Sequence, residues 1–275
     1  MRLILRAFCA VLLAWPMVSA AHAPGASGTL RDWPVWTTQI LFAAAWLAFT
    51  AGALRRPPTA GRRAAFHGGM LVLGLALFGP LDLLAERSTA WHMAQHMLLM
   101  AVVPPLLVVA RPLAQWRAAC GHGLDVAWRL SMTLARRPLA CAAVHALAVW
   151  AWHAPGPYKA ALADPLWHAL EHASFLFTAW MLWWSVLAGG RRQWPQALTA
   201  LLVTMAHTGM LGALLAFSPR PLYGAEAAGL ADQQLAGLLM WIPGGAIYLL
   251  AALRIGARHL DGPVSGVPAR APERR

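Results

Sequence analysis

Four histidines fall in two pairs of equal spacing: His92 and His96 in WHMAQHMLLM, and His168 and His172 in LWHALEHASFLF. On an α-helix, residues four apart share one face and lie one turn apart. Each pair therefore offers two imidazole nitrogens in one direction, and imidazole holds zinc, copper and iron. Met93 and Met97 stand beside the first pair, and thioether sulfur shifts the preference toward Cu(I). His153 in AVWAWHAPGPY, and His207 between Met205 and Met210, add further imidazoles. The metal-ligand candidates are His92, His96, His168, His172, His153, His207, Met93 and Met97. Four carboxylates accompany them: Asp82 and Glu86, again four apart, Glu171 within the second pair, and Asp232. A carboxylate beside a metal-ligating imidazole accepts its distal N–H and sets the tautomer, and all four are read in that supporting role. The cysteines, Cys9, Cys120 and Cys141, show no CxxC spacing, so no thiolate metal motif or disulfide framework is legible.

Blander roles compete for the same residues. Methionines at helical spacing are more often core filler. Asp82 and Glu86 can be solvated at a helix end. His67 and His145, single histidines in apolar runs, read as helix–helix hydrogen bonders. Trp91, Trp152, Trp167 and Trp241 read as interfacial or packing aromatics.

The elements that carry these residues are apolar. Of 275 residues, 59% are hydrophobic and only 12% charged, where a soluble domain has about 25% charged. Mean hydropathy is +0.54. The net charge of +12 does not indicate nucleic acid, because the arginines sit in short loops between apolar runs and in the tail. Runs near 35–54, 64–84, 91–110, 138–155, 167–188, 196–217 and 232–253 approach the roughly 20 residues needed to cross a bilayer. Nothing alternates with the period of a membrane barrel. The expected fold is an all-α membrane protein, a bundle of about seven transmembrane helices. Residues 1–23, with Arg2 and Arg6 ahead of an apolar core and small residues near Ala20 and Ala23, read as a cleaved signal peptide, with an uncleaved helix as the alternative. The membrane domain is expected over 33–258 and a disordered cytoplasmic tail over 259–275.

Arginine placement sets an orientation. Arg55, Arg56, Arg62 and Arg63 follow the first run, Arg111 to Arg137 the third, Arg191 and Arg192 the fifth, and Arg254 to Arg275 the seventh. The positive-inside rule puts these loops in the cytoplasm and the mature N-terminus outside. Both histidine pairs and His153 then fall in outer turns, while His145 and His207 lie deeper. Segment Leu124–Leu134 is expected as an amphipathic surface helix. Pro104 with Pro105, and Pro243 with Gly244 and Gly245, are expected to kink the third and seventh helices.

WHMAQHMLLM, WHAPGPYKAAL, LWHALEHASFLFTAWMLWW, FSPRPLYG and ADQQLAGLLMWIPGG occur in that order. Together they resemble the polytopic CtaG family of cytochrome c oxidase (caa-type) assembly factors, over about Trp33 to Arg258. The resemblance implies a non-enzymatic inner-membrane protein that helps build haem–copper oxidase, with oxidase subunits or other assembly factors as partners. The positions that match are His92, His96, His153, His168, His172 and Asp232. Copper, as Cu(I), is the expected ligand, and nucleic acid is not an expected partner. Two other classes stay open: a haem-binding redox protein with bis-histidine ligation, and a copper or proton transporter.

Overall fold

A computed structural model describes residues 33–123, 125–223 and 229–260. The proposed signal segment 1–23 and the tail from residue 261 lie outside the described residues. Every regular element among the described residues is helical. The first, α1, runs Trp33–Arg55. Ala60–Phe78 (α2) continues past Gly79 into a short α3, Pro80–Ala85. Next come α4 (Thr89–Met97), a π-turn (Leu98–Val102) and α5 (Val103–Ala110). Two surface helices follow, α6 (Leu113–Cys120) and α7 (Asp125–Leu134), and then α8 (Pro138–Trp152), α9 (Pro155–Ala163) and α10 (Pro165–Leu187). The chain finishes with α11 (Trp194–Phe217), α12 (Leu230–Leu239), a second π-turn (Met240–Gly244) and α13 (Gly245–Leu260).

Five helical units are long and apolar enough to cross a membrane: Trp33–Arg55, Ala60–Ala85, Thr89–Ala110, Trp194–Phe217 and Leu230–His259. Large aliphatic and aromatic side chains on their flanks stay exposed, among them Ile40 at 66%, Phe217 at 72% and Leu250 at 65%. Apolar exposure on that scale suits lipid. The other two expected runs form α8 and α10. With 15 residues, α8 spans only about 22 Å. At 23 residues α10 is long enough, but His168, Glu171 and His172 occupy its first turns.

Prolines break the helical ladder where expected, and the third and seventh helices answer with π-turns. One π-turn precedes Pro104 and the other contains Pro243. A proline cannot donate to the carbonyl four residues back. Pro104 leaves Met100 O free, and Trp183 Nε1 on α10 donates to it at 2.9 Å. Pro80 leaves Ala76 O free, and Gln95 Nε2 on α4 donates to it at 2.7 Å. Both repairs cross between elements, tying α4 to α2 and α10 to the first π-turn. Trp183→Phe is expected to lower stability by about 1 kcal/mol, read as a lower midpoint of thermal unfolding in detergent. An unchanged midpoint would show that Met100 O finds another donor.

The arginine-rich ends of the helices meet at one end of the bundle. Arg55 Nη1 donates to Ala118 O at 2.7 Å and Gln115 Nε2 to Arg56 O at 3.1 Å. Helix α7 buries none of its residues, and Val126 and Leu130 are exposed. Asp125 at its start bonds Arg117 Nε at 2.6 Å and His122 Nδ1 at 2.9 Å. The Arg117 guanidinium, with help from His122, holds the Asp125 carboxyl below its ordinary range. That support is present above the ordinary carboxylate range and is lost as pH falls through the depressed value. His67 accepts a hydrogen bond from Trp46 Nε1 at 2.9 Å, joining α2 to α1.

Candidate metal centre

The opposite end of the bundle holds the histidine pairs, and local sequence sets their register. Asp164 caps α10 by accepting from Leu166 N at 2.8 Å and Trp167 N at 3.3 Å, with Pro165 as the first helical residue. This start places His168, Glu171 and His172 on one face within two turns. Ser88 caps α4 by accepting from Trp91 N at 3.3 Å. Asp232 of α12 secures that cap: it accepts from Ser88 Oγ at 2.6 Å and Ala90 N at 3.2 Å. Asp232 thus holds the helix that carries His92 and His96. Asp232→Ala is expected to cost about 1 kcal/mol of stability and to weaken metal binding with it. Isothermal titration with copper beside thermal unfolding checks both.

One ligand atom each from His92, His168, Glu171 and His172 lies within 4.8 Å of all the others. Glu171 stands among the rings. Its Oε2 is 3.7 Å from His92 Nε2, and its Oε1 is 3.6 Å from His96 Nε2. Both distances exceed hydrogen-bond range. Ring centroids are 4.2 Å apart for His92 and His96, 4.1 Å for His168 and His172, and 5.4 Å for His96 and His172. His96 and Glu171 are wholly buried. Both Glu171 oxygens, both His96 nitrogens, His92 Nε2 and His172 Nε2 have no hydrogen-bond partner within the protein.

His153 caps α8 close by, 5.7 Å from His96 between centroids. Its Nδ1 lies 2.7 Å from Val149 O. A carbonyl only accepts, so Nδ1 carries the proton and Nε2 of the neutral ring is a bare lone pair. That lone pair faces Met93 Sδ at 3.3 Å. Two electron-pair donors thus meet in a buried space with no proton between them.

The remaining expected residues take other places. Met97 packs its sulfur against the second π-turn, where a Cβ on Gly244 would come within 2.8 Å. Asp82 accepts from Gln95 Nε2 at 2.9 Å, and Glu86 is exposed at the end of α3. His207, on α11, is outside the four-residue cluster, and both its ring nitrogens are without a hydrogen-bond partner. Met210 beside it is 55% exposed. An apolar cavity of about 360 Å³ between α1, α2 and α10 reaches the centre, and Asp82, His168 and His172 are among its lining residues.

Two tyrosines that the spacing of histidines does not reveal close the site. Tyr158 is buried with its ring 5.5 Å from His92, and it stacks on Tyr223 at 3.8 Å. Tyr223 donates its hydroxyl to His153 O at 3.1 Å. The chain has only three tyrosines, and two of them here is the signal that composition offered.

Helices of membrane-crossing length, packed around a buried histidine–carboxylate cluster able to hold a metal ion, define a polytopic helical membrane protein. The chain belongs to the cytochrome c oxidase caa3 assembly factor family (Caa3_CtaG), whose pattern matches residues 40–261. No curated protein and no solved structure matches it.

Proposed function

We propose that the protein binds copper at the histidine end of its bundle and aids delivery of that copper to cytochrome c oxidase. One observation carries the metal reading: Glu171 is a wholly buried carboxylate with no hydrogen-bond partner, facing imidazoles that also lack partners. A buried charge without a partner costs several kcal/mol. A cation held by His92, His168, Glu171 and His172, with His96 adjoining, removes that cost. Copper is favoured among cations because a second donor set adjoins the first. His153 Nε2 and Met93 Sδ supply nitrogen and thioether, the donors that suit Cu(I). Donor atoms so close together suit a single ion better than the ring-sized gap that bis-histidine haem ligation needs.

The protein works as a seven-span protein of the bacterial inner membrane, with the histidine end outside and the C-terminal tail in the cytoplasm. The arginine-rich loops support that orientation. Oxidase subunits or other assembly factors receive the ion, and the role is non-enzymatic.

The pairs test the proposal. Replacing His92 and His96, or His168 and His172, by alanine is expected to leave the protein in the membrane while oxidase activity and oxidase copper content fall. Full oxidase activity in both double variants would reject the site. Rescue by added copper would support delivery over a scaffolding role.

A further inference from the structure

Three residues of α4 face the centre: His92, Met93 and His96. Successive helical residues turn by about 100°, so His96 lies on the helix surface between the directions of His92 and Met93. His92 turns to the histidine–glutamate cluster. Met93 turns to His153, with its Sδ 3.3 Å from the Nε2 lone pair. Met93, His96 and His153 are all buried, and both nitrogens of His96 lack a hydrogen-bond partner within the protein.

The distances suit an ion on the Met93 side. Donors bonded at about 2.0 Å for nitrogen and about 2.3 Å for sulfur stand roughly 3.5 Å apart at a tetrahedral angle. His153 Nε2 and Met93 Sδ, at 3.3 Å, are close to that separation. A ring bonded at about 2.0 Å keeps its centroid about 3 Å from the ion, so two rings on one ion stand at most about 6 Å apart. His96 is 5.7 Å from His153 and 5.4 Å from His172 between centroids. It is therefore within reach of an ion on either side.

The two sides differ in chemistry. Glu171 gives the cluster an anion. The other set is neutral: two imidazoles and a thioether, with the buried Phe175 ring 5.9 Å from His153 and 4.8 Å from His96. His153 has its Nδ1–H anchored on Val149 O at 2.7 Å and its Nε2 left over, which is how metal-ligating histidines are held. A neutral donor set in apolar surroundings favours a univalent ion, because excess buried charge is costly. Thioether sulfur favours Cu(I) in particular.

We propose that the centre holds two ions. The second is Cu(I), bound by His153 Nε2, Met93 Sδ and a ring nitrogen of His96, beside the ion of the histidine–glutamate cluster. His96 is the ring that either ion can take, so a cuprous ion passes between the two positions by exchanging one ligand at a time. The inference deepens the copper reading and rests on it, but its own ligands are His153 and Met93.

The test uses the full chain in detergent, loaded anaerobically with Cu(I) alone and competed with a chromophoric Cu(I) chelator. X-ray absorption of the loaded protein is expected to show a sulfur neighbour at about 2.3 Å. Met93→Leu, which conserves volume, is expected to lose that sulfur and to hold one equivalent at least about tenfold more weakly. His153→Gln is expected to weaken the same equivalent. Met97→Leu, whose sulfur packs on Gly244, keeps both the sulfur neighbour and the equivalent. A double His168→Ala, His172→Ala variant loses a different equivalent and keeps the sulfur neighbour. Wild type without a copper–sulfur neighbour, or Met93→Leu with unchanged affinity, overturns the second ion and leaves the cluster standing. Loss of the sulfur neighbour in the double variant makes the two donor sets one site and overturns it as well. Loss of nothing in the double variant, with loss in Met93→Leu, sinks the cluster reading instead. Helical circular dichroism confirms that each variant folds.

Discussion

Glu171→Gln is expected to move the stability of the metal-free and copper-loaded protein in opposite directions. Glu171 is wholly buried and neither oxygen has a hydrogen-bond partner within the protein. Glutamine keeps the shape and removes a charge whose burial costs several kcal/mol, so the metal-free unfolding midpoint rises. With copper present, the variant has lost its one anionic donor. Its affinity is expected to fall by at least about 100-fold, or about 2.7 kcal/mol. The stabilisation that copper gives the parent, about 4 kcal/mol at a thousand times the dissociation constant, shrinks accordingly, and with it the rise in midpoint. Thermal unfolding with and without copper reads both effects, and oxidase activity in cells follows the second. A lower metal-free midpoint with unchanged copper affinity would make Glu171 a structural partner of a charged His92 or His96 and would end the metal reading.

Gly237→Ala is expected to loosen the bundle beneath the site. Gly237 on α12 and Gly212 on α11 face each other with backbones nearly touching. A Cβ on Gly237 would come within 2.4 Å of Gly212 O and 2.5 Å of Ala216 N, and one on Gly212 within 2.7 Å of Gly237 O. Those neighbours are backbone atoms and cannot rotate aside, so the helices must separate. Small residues at such crossings let membrane helices pack closely. The cost is expected to be about 1–3 kcal/mol, and Gly237→Leu should prevent accumulation altogether. Gly256→Ala, where a Cβ meets nothing within 4 Å, is the control and should be neutral. Asp232 lies five residues before Gly237 on the same helix and holds the cap of α4, so copper affinity should fall with stability in Gly237→Ala. Unchanged unfolding in Gly237→Ala would contradict the close approach of α11 and α12.

Much of this was legible in the residues. Apolar runs gave the helices, because burying backbone polar groups in lipid demands internal hydrogen bonds. The i,i+4 histidine pairs announced two faces, since side-chain direction along a helix is local geometry. Glu171 was legible too, three residues from His168 on the same face, but was read as a supporting acceptor and stands among the rings. The prolines marked where the ladder fails, and the π-turns appear at those places. Of the seven expected spans, five reach the needed length and apolarity; α8 is short and the start of α10 is polar.

By itself the sequence determined that helices form, where they break, and which faces present imidazole. Tertiary structure alone decided which faces meet. Asp232 caps a helix 142 residues away at Ala90, Met93 faces His153 while Met97 faces Gly244, and His207 stands outside the cluster that the histidine pairs form. Each outcome depends on the rotation and offset of one packed helix against another. Those are set by glycine contacts and by repairs such as Trp183 to Met100, between positions that no local pattern links.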